Sequence, residues 1–156
     1  MQSKSATLAE KLRTTDQFIV APGVYDMISA KMADNAGFHA LYMTGSGTVA
    51  SYLGVPDAGI ATYTDMVSRA GCVAAGTETP LIADADTGYG GPVNVRETVR
   101  GYERAGVSAI QIEDQDFPKK CGHLSGHKLI SAEDMVTKIK VALDSRFSDD
   151  TLVIAR

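Results

Sequence analysis

Short apolar runs alternate with amphipathic stretches along the whole chain. Between the apolar runs, hydrophobic residues recur every three or four positions, which predicts helices that pack by one face. A regular alternation of strands and helices indicates right-handed βαβ units, a parallel sheet and a single α/β domain over residues 1–156. The apolar runs predict strands at 18–23, 39–45, 80–86, 108–114 and 151–155.

Several predicted helices have recognisable end residues. Asp26 can cap a helix that Gly37 ends, and Pro92 can open a helix that Gly106 closes. Ser131, followed by an acidic residue three positions later, resembles a capping box and predicts another helix start. These boundaries support the division of the chain into alternating strands and helices.

Two architectures fit this order of elements: an open, doubly wound sheet and a closed barrel. An open sheet of five strands would fill 156 residues well. The last predicted strand, however, runs to Arg156, where a parallel unit would continue into a loop and a helix. A TIM-type (β/α)8 barrel takes about 250 residues. We therefore expect the chain to hold about the first five βα units of such a barrel, with roughly three units beyond it.

Composition narrows the classes of function and the compartment. A net charge of −4 gives no support for nucleic-acid binding, and no apolar run could span a bilayer. The segment MQSKSATLAEKLR lacks the apolar core of a secretory signal and, with Leu8 and Leu12 four apart, predicts a short amphipathic helix. Two cysteines do not suggest a disulfide framework. We expect a cytoplasmic protein, with the mitochondrial matrix as the alternative in a eukaryote.

Polar residues gather where the predicted strands end. In parallel α/β folds, ligands bind at the carboxyl ends of the strands, which meet at one rim. The sequence therefore predicts a single rim with groups suited to a metal, a carboxylate and proton transfer. These residues are Tyr25 and Asp26, then Tyr42, Thr44, Gly45, Ser46 and Gly47, then Asp84 and Asp86, then Glu113 and Asp114, and finally Arg156.

The segment DADTGYGG (84–91) holds two aspartates two positions apart. Residues i and i+2 of a strand point the same way, so Asp84 and Asp86 could share a hard cation such as Mg2+. Glu113 ends the next strand, about 5 Å away, and could reach the same ion or its waters. The alternatives are a turn in which the aspartates bond local backbone, and a helix cap or surface salt bridge for Glu113.

The segment TGSG (44–47) is predicted to be a flexible glycine-rich loop after the second strand. Its exposed backbone N–H groups could cradle a carboxylate or a phosphate. The alternative is a plain turn between a strand and a helix.

The segment KKCGH (119–123) surrounds Cys121 with Lys119, Lys120 and His123. Positive charge lowers the pKa of a thiol and favours the reactive thiolate. The alternative is a solvated basic loop with an incidental thiol, but this setting favours a functional cysteine.

The stretch 115–130, between a predicted strand and a predicted helix, is long enough to be a functional loop. Gly122 and Gly126 predict that it is mobile, as a lid would be. Cys72, by contrast, lies within a helical pattern beside Val73 and is expected to be a packing residue.

Taken together, KKCGH, DADTGYGG, IEDQ and LVIAR occur in an order that resembles the isocitrate lyase / phosphoenolpyruvate mutase superfamily. The likeness is greatest to its short-chain members, the methylisocitrate lyases and 2,3-dimethylmalate lyases, and runs from about residue 8 to Arg156. It implies a (β/α)8 barrel and a homotetramer in which neighbours exchange a C-terminal helix.

The resemblance also implies roles for the rim residues. Asp86 would be the main ligand of Mg2+, or of Mn2+ as an alternative, acting largely through water, with Asp84 and Glu113 in support. The substrate carboxylate would bind at Thr44, Gly45, Ser46 and Arg156.

Proton transfer would fall to Cys121 on a gating loop, according to the same resemblance. Lys119 and His123 would tune the thiol, and Tyr42 would lie beside the substrate.

The implied activity is Mg2+-dependent cleavage of a carbon–carbon bond in a small 2-hydroxy carboxylic acid, methylisocitrate-like or 2,3-dimethylmalate-like, to a 2-oxo acid and a second carboxylate. The superfamily also contains carboxyvinyl-carboxyphosphonate phosphorylmutase, other phosphonate mutases and oxaloacetate hydrolases or decarboxylases with the same aspartates. Lyase-like members resemble KKCGH at the lid, whereas phosphoenolpyruvate mutase has a different loop without this cysteine.

Overall fold

A computed structural model describes residues 3–14, 16 and 18–156 of the chain. Five parallel strands form one sheet in this part of the chain. The strands are β1 (Gly23–Val24), β2 (Leu41–Met43), β3 (Leu81–Asp84), β4 (Ala109–Ile112) and β5 (Leu152–Ala155). The helices are α1 (Lys4–Thr14), α2 (Met27–Asn35), α3 (Gly45–Leu53), α4 (Tyr63–Gly76), α5 (Pro92–Arg104) and α6 (Ala132–Ser145). None of these helices is long and apolar enough to cross a membrane.

The order of the strands decides between the two predicted architectures. Each strand pairs in parallel with the next strand in the chain, from β1 to β5. A doubly wound sheet reverses its strand order at a switch point, and these five strands contain no reversal. Right-handed crossovers then leave the helices on one face, where α2 packs on α4, α4 on α5 and α5 on α6. This winding is that of successive units of a (β/α)8 barrel.

The two faces of the sheet carry different residues. Leu81, Ala83, Ile110 and Ile112 face the helices, are at most 1% exposed and belong to the main apolar core. The residues between them point to the other face because side chains alternate along a strand. That second face turns polar towards the carboxyl ends of the strands, so the sheet presents its functional groups at one end.

The predicted helix ends are confirmed. Asp26 Oδ1 accepts a hydrogen bond from the backbone N–H of Ser29 at the start of α2. Pro92 is the first residue of α5, and Gly106, with φ of 88°, follows its last turn. Ser131 Oγ accepts the backbone N–H of Asp134 at the start of α6.

The first predicted strand, residues 18–23, is wrong in its extent, because β1 is only Gly23–Val24. Phe18 is 98% exposed and Val20 is 60% exposed, whereas Ile19 and Ala21 are partly buried and pack against the apolar cluster of Leu8, Ala40 and Ala109. The Pro22 carbonyl accepts the N–H of Tyr42, but proline has no N–H to continue a ladder. Apolar character alone therefore overestimated the strand.

The glycine-rich segment 44–47 is not the flexible loop that its composition predicted. Thr44 is the N-cap residue of α3, and Gly45 opens that helix, which ends at Gly54 with φ of 68°. Glycine disfavours helices by roughly 1 kcal/mol per residue. Packing overrides this preference here, since Thr48 and Val49 are at most 2% exposed.

Cys72 was expected to pack, but it is exposed on α4. The buried stripe of α4 consists of Met66, Ala70, Val73 and Ala74. Cys72 lies just before the last two of these residues but points away from the sheet. The prediction was wrong because it relied on apolar neighbours in the sequence and not on the buried face of the helix.

Helix α1 confirms the predicted N-terminal helix from Lys4 onwards, while residues 1 and 2 of that prediction lie outside the described residues. Leu8 is 1% exposed and packs in a second apolar cluster with Ala40 and Ala109. Leu12, on the same helix, is 53% exposed.

Replacing Leu8 with alanine should therefore lower the free energy of unfolding of the complete protein by about 2–5 kcal/mol, the usual cost of a cavity at a buried leucine. Leu12→Ala is the matched control and should change it by less than about 0.5 kcal/mol. Urea unfolding followed by circular dichroism measures both variants. Equal losses in the two would contradict the docking of α1 by Leu8.

Candidate active site

Asp84 and Asp86 lie together at the carboxyl end of β3, although not for the predicted reason. The strand ends at Asp84, and Asp86 follows in a turn with a positive φ of 48°. The two are brought together because the backbone N–H of Asp86 donates to Asp84 Oδ1 at 3.0 Å. Both are buried, with 8% and 6% exposure. The sequence offered a turn and a metal site as alternatives for this segment. The turn is present, and it brings the two carboxylates close together.

This turn after β3 is held through its backbone carbonyls. The carbonyls of residues 84–88 each accept a hydrogen bond, in a stretch where positive φ values cost energy. In chain order the donors are Tyr102 Oη, the N–H of Gly88, the N–H of Glu113, Lys138 Nζ and Thr98 Oγ1. Side chains of α5 and α6 therefore fix the position of the two aspartates.

Lys119 forms ion pairs with aspartates, and not with the Cys121 thiol that it was expected to tune. Its ammonium Nζ lies 2.6 Å from Asp57 Oδ1 and forms a second ion pair with Asp86 Oδ1. The Lys119 side chain is only 4% exposed. Burial acts to lower the pKa of Lys119, but the charges of Asp86 and Asp57 outweigh it and raise that pKa above its ordinary value. Lys119 is thus a permanent cation in the carboxylate cluster.

Asp57 is a site residue that the sequence reading missed. Its carboxylate pairs with Lys119, and its backbone carbonyl accepts the N–H of Cys121 at 3.0 Å. It lies in GVPDAG after α3, where proline, aspartate and glycine are typical of a turn. Nothing in that local pattern indicates that the loop meets residues 62 and 64 positions later.

Glu113 follows β4, and both of its carboxylate oxygens have partners. Oε1 accepts Gln115 Nε2 at 3.0 Å, and Oε2 accepts Arg156 Nη1 at 3.3 Å. Arg156 also lies against Gly122, where any added Cβ would overlap the guanidinium. Arg156 at the end of β5 therefore touches both the carboxylate cluster and the predicted lid.

The site holds more negative than positive charge. Two cations face four carboxylates, so two formal negative charges remain uncompensated; the groups are Lys119, Arg156, Asp57, Asp84, Asp86 and Glu113. Burial, helped by the neighbouring charge of Asp84, raises the pKa of Asp86 to about 6. Burial also raises the pKa of Asp84. The cluster as a whole therefore has a formal negative charge that a further cation would balance.

A partly hydrated divalent ion fits this donor set. Among the described residues, no three His, Cys, Asp or Glu side chains group closely enough to enclose a metal ion by themselves. Mg2+ commonly keeps several waters and takes only one or two carboxylates from the protein. The paired, buried carboxylates with two excess charges suit that mode of binding.

Cys121 lies on the loop after β4, against the start of α3. Its Sγ is 3.5 Å from His123 Nδ1. The backbone N–H of His123, the His123 ring and then the Ser46 hydroxyl lower the pKa of the thiol. The expected tuning by His123 has a contact to support it, whereas Ser46 takes the place expected of Lys119.

The remaining predicted residues lie at the same rim. Gly45 packs on Asp84 so closely that any Cβ would overlap its carboxylate. Thr44 makes no side-chain cap, so the first-turn N–H groups of α3 are not bound by it. Tyr42 Oη accepts Gln111 Nε2 at 2.8 Å, and burial, with the charge of Asp84, raises the pKa of this phenol.

Comparison with known proteins identifies the family. The profile of the phosphoenolpyruvate phosphomutase family matches residues 8–156. The chain belongs to this family. The match covers all of the strands and the whole rim described above, and it confirms the superfamily inferred from the four motifs.

Two curated family members are especially similar to the chain. The 2,3-dimethylmalate lyase of Eubacterium barkeri is 50% identical over 152 residues, which are 97% of this chain and 53% of that protein. A 2-methylisocitrate lyase of Aeropyrum pernix is 45% identical over 156 residues, 100% of this chain and 49% of that protein. The chain thus spans about half the length of these relatives.

Solved structures of family members give the same fold. Oxaloacetate acetylhydrolase with 3,3-difluorooxalacetate matches with a TM-score of 0.95 and 47% identity, over 99% of this chain and 53% of that one. Phosphonopyruvate hydrolase with oxalate and Mg2+ matches with a TM-score of 0.89 and 36% identity, over 99% and 52%. The five-strand sheet is therefore shared across members with different reactions.

The lowered pKa of Cys121 makes a direct prediction about its reactivity. Iodoacetamide attacks the thiolate, so the alkylation rate should rise with pH and reach half its maximum below about 8.5, the ordinary thiol pKa. Alkylation of the Cys121 peptide in the complete protein, followed by mass spectrometry, measures this midpoint. His123→Ala should move it upward, because one of the stabilising contacts is lost. A midpoint at or above the ordinary value in the unmodified protein would refute the assignment.

Proposed function

We propose that the complete protein carrying this chain is a Mg2+-dependent lyase for a small 2-hydroxy carboxylic acid. It would cleave a carbon–carbon bond in a methylisocitrate-like or 2,3-dimethylmalate-like substrate, giving a 2-oxo acid and a second carboxylate. The observation that carries the proposal is Cys121, an acidified thiol held at a rim of buried carboxylates. The 50% identity to 2,3-dimethylmalate lyase supports it.

Asp86 would hold the metal largely through water, with Asp84 and Glu113 in support. The two uncompensated charges of the cluster and the Mg2+ in the related phosphonopyruvate hydrolase structure both favour this ion, with Mn2+ as an alternative. When bound, a divalent cation polarises the oxygens of a 2-hydroxy acid and stabilises negative charge that develops on them.

The substrate carboxylate would bind at the start of α3 and at Arg156. The N–H groups of Gly45 and Ser46 begin a helix, where the backbone dipoles favour an anion, and Thr44 leaves them without a side-chain cap. Arg156 follows β5 at the same rim and supplies a guanidinium, whose planar fork matches a carboxylate. Two attachment points, one after β2 and one after β5, would orient a small diacid.

Cleavage beside the hydroxyl is a retro-aldol-type step that needs proton transfer at two places. As the bond breaks, the hydroxyl would give its proton to one of the carboxylates of the rim, and the leaving fragment would become an enediolate-like carbanion that must be protonated. Cys121 is suited to donate that proton, because a thiol with a lowered pKa is the stronger acid. Tyr42, kept as a neutral phenol by its raised pKa, would lie beside the substrate.

The loop that carries Cys121 would act as a lid. Its two ends are joined by backbone hydrogen bonds between Asp116 and Lys128 and between Ile130 and Asp114. Only the part beyond these bonds, including residues 119–123, would need to move. Closure would exclude water and protect the carbanion from unwanted protonation.

Oxaloacetate cleavage is the second candidate function. It is favoured by the TM-score of 0.95 and 47% identity to oxaloacetate acetylhydrolase, which has the same fold over this chain. Proton NMR of the complete protein with oxaloacetate would reveal acetate if this reaction occurs. Acetate formation without turnover of 2-hydroxy acids would select this candidate over the lyase.

We further propose a homotetramer in an aqueous, reducing compartment, the cytoplasm or the mitochondrial matrix in a eukaryote. Cys72 and Cys121 are both free thiols, which fits a reducing environment. Light scattering of the complete protein measures its oligomeric state.

Cys121→Ser should lower kcat/KM for 2-oxo acid release by at least about 100-fold, the usual contribution of a positioned proton donor. Asp86→Ala should lower it by a similar factor, because the proposed metal would lose its main ligand. The measurement is a 2-oxo acid assay on methylisocitrate and 2,3-dimethylmalate with Mg2+. Cys72→Ser removes the exposed cysteine and is the matched control, which should keep full activity. Full activity in either site variant would contradict the proposal.

Gly45→Ala should weaken Mg2+ binding by about 10- to 100-fold, because the new methyl group must displace the Asp84 carboxylate. Gly71→Ala is the control: its Cβ would meet only the Ala105 Cβ, at an ordinary 3.6 Å, in the middle of α4. Titration calorimetry with Mg2+ reads out both variants without any turnover. An unchanged affinity in Gly45→Ala would remove Asp84 from the metal site.

A further inference from the structure

Gln115 lies two residues after Glu113 and is buried, with 6% exposure. It belongs to the segment IEDQ, yet the proposed reaction gives it no role. A buried carboxamide must have its hydrogen bonds satisfied, so its partners show what it holds in place.

Both ends of the Gln115 carboxamide are bound. Nε2 donates to Glu113 Oε1 at 3.0 Å and to the Lys120 carbonyl at 2.8 Å. Oε1 accepts the backbone N–H of Lys120 at 3.0 Å. One side chain thus connects a carboxylate of the metal cluster with the backbone next to Cys121.

The segment around Lys120 is docked by its neighbours as well. Lys119 pairs with Asp57 and Asp86, and the N–H of Cys121 donates to the Asp57 carbonyl. These contacts attach the lid to the loops after α3 and β3. Gln115 adds the attachment to β4, through Glu113.

Undocking the lid would leave this carboxamide unsatisfied. A buried polar group that loses its partner is destabilising, and hydrogen bonds to a charged group are the stronger ones. Because Nε2 is shared between Glu113 and Lys120, the position of the Glu113 carboxylate affects how well the lid is held. By reciprocity, docking of the lid steadies Glu113.

We propose that Gln115 is a positioning residue that couples docking of the Cys121 lid to the Glu113 carboxylate. An occupied site, in which Glu113 is held in place, would favour the docked lid, and an undocked lid would release Glu113. The inference rests on the proposed function for the roles of Glu113 and Cys121, but its structural part can be measured without turnover.

The test is the alkylation rate of Cys121 in Gln115→Met, a variant of similar size without the three hydrogen bonds. The rate is followed by mass spectrometry up to its high-pH plateau, where the thiol is fully ionised and the rate reports access to it. We expect a plateau at least about 10-fold higher than in the unmodified protein, as the loss of the two hydrogen bonds to Lys120 implies. Mg2+ with oxalate should slow alkylation of the unmodified protein and protect the variant less.

Two further variants separate coupling from general destabilisation. Thr77→Val removes a buried hydrogen bond, from Thr77 Oγ1 to the Val73 carbonyl at 2.8 Å, far from the lid, and should leave Cys121 alkylation unchanged. Gln115→Glu keeps the acceptor for the Lys120 N–H but loses the donor, and should raise the plateau as Gln115→Met does.

Unchanged plateau rates in both Gln115 variants would overturn the inference, as would an equal rise in Thr77→Val. Failure of the proposed function gives a different result: Mg2+ with oxalate would then not protect the unmodified protein, while the ligand-free plateau would still rise in the Gln115 variants.

Discussion

The ion pairs of Lys119 with Asp57 and Asp86 are the interaction on which the site depends. Three segments far apart in the chain meet at this one ammonium: the loop after α3, the turn after β3 and the loop after β4. Buried charges are costly unless they are paired, and the partners here are held by other contacts. Removal of Lys119 would leave buried carboxylates together without their cation and would take away one attachment of the loop after β4, so one side chain supports both the charge balance and the position of that loop.

The same charge balance explains why the rim is suited to chemistry. Lys119 and Arg156 do not neutralise the four carboxylates, and burial, helped by the neighbouring charge of Asp84, raises the pKa of Asp86. A divalent ion would complete the cluster. Rigid support comes from outside the rim, since Tyr102, Thr98 and Lys138 hold the carbonyls of the turn that presents the aspartates. The thiol lies at the same rim, on the loop after β4, with its Sγ 3.5 Å from His123 Nδ1.

Local patterns predicted much of the fold and the site. Four of the five strands, the caps at Asp26 and Ser131 and the convergence of strand ends followed from periodicity and capping alone. Two errors had one cause: residues 18–22 and Cys72 were judged by apolar neighbours in the sequence, whereas burial depends on what lies opposite in space. The start of α3 within 44–47 was not predicted, because the packing of the helix overrides the low helix propensity of its glycines.

By itself, the sequence determined the order of the strands and of the described helices other than α3, the motifs of the family and the types of chemical group at the rim, because these depend on spacing along the chain. Only the tertiary structure decided which groups touch. In the structure, Lys119 pairs with aspartates and Ser46 contacts the Cys121 thiol. Asp57 and Gln115, to which the sequence analysis gave no role, also contact the site. The pKa of the Cys121 thiol is lowered, as its basic segment suggested, but the groups that lower it are His123 and the Ser46 hydroxyl. Contacts between residues so distant in sequence depend on backbone geometry, which no local pattern contains.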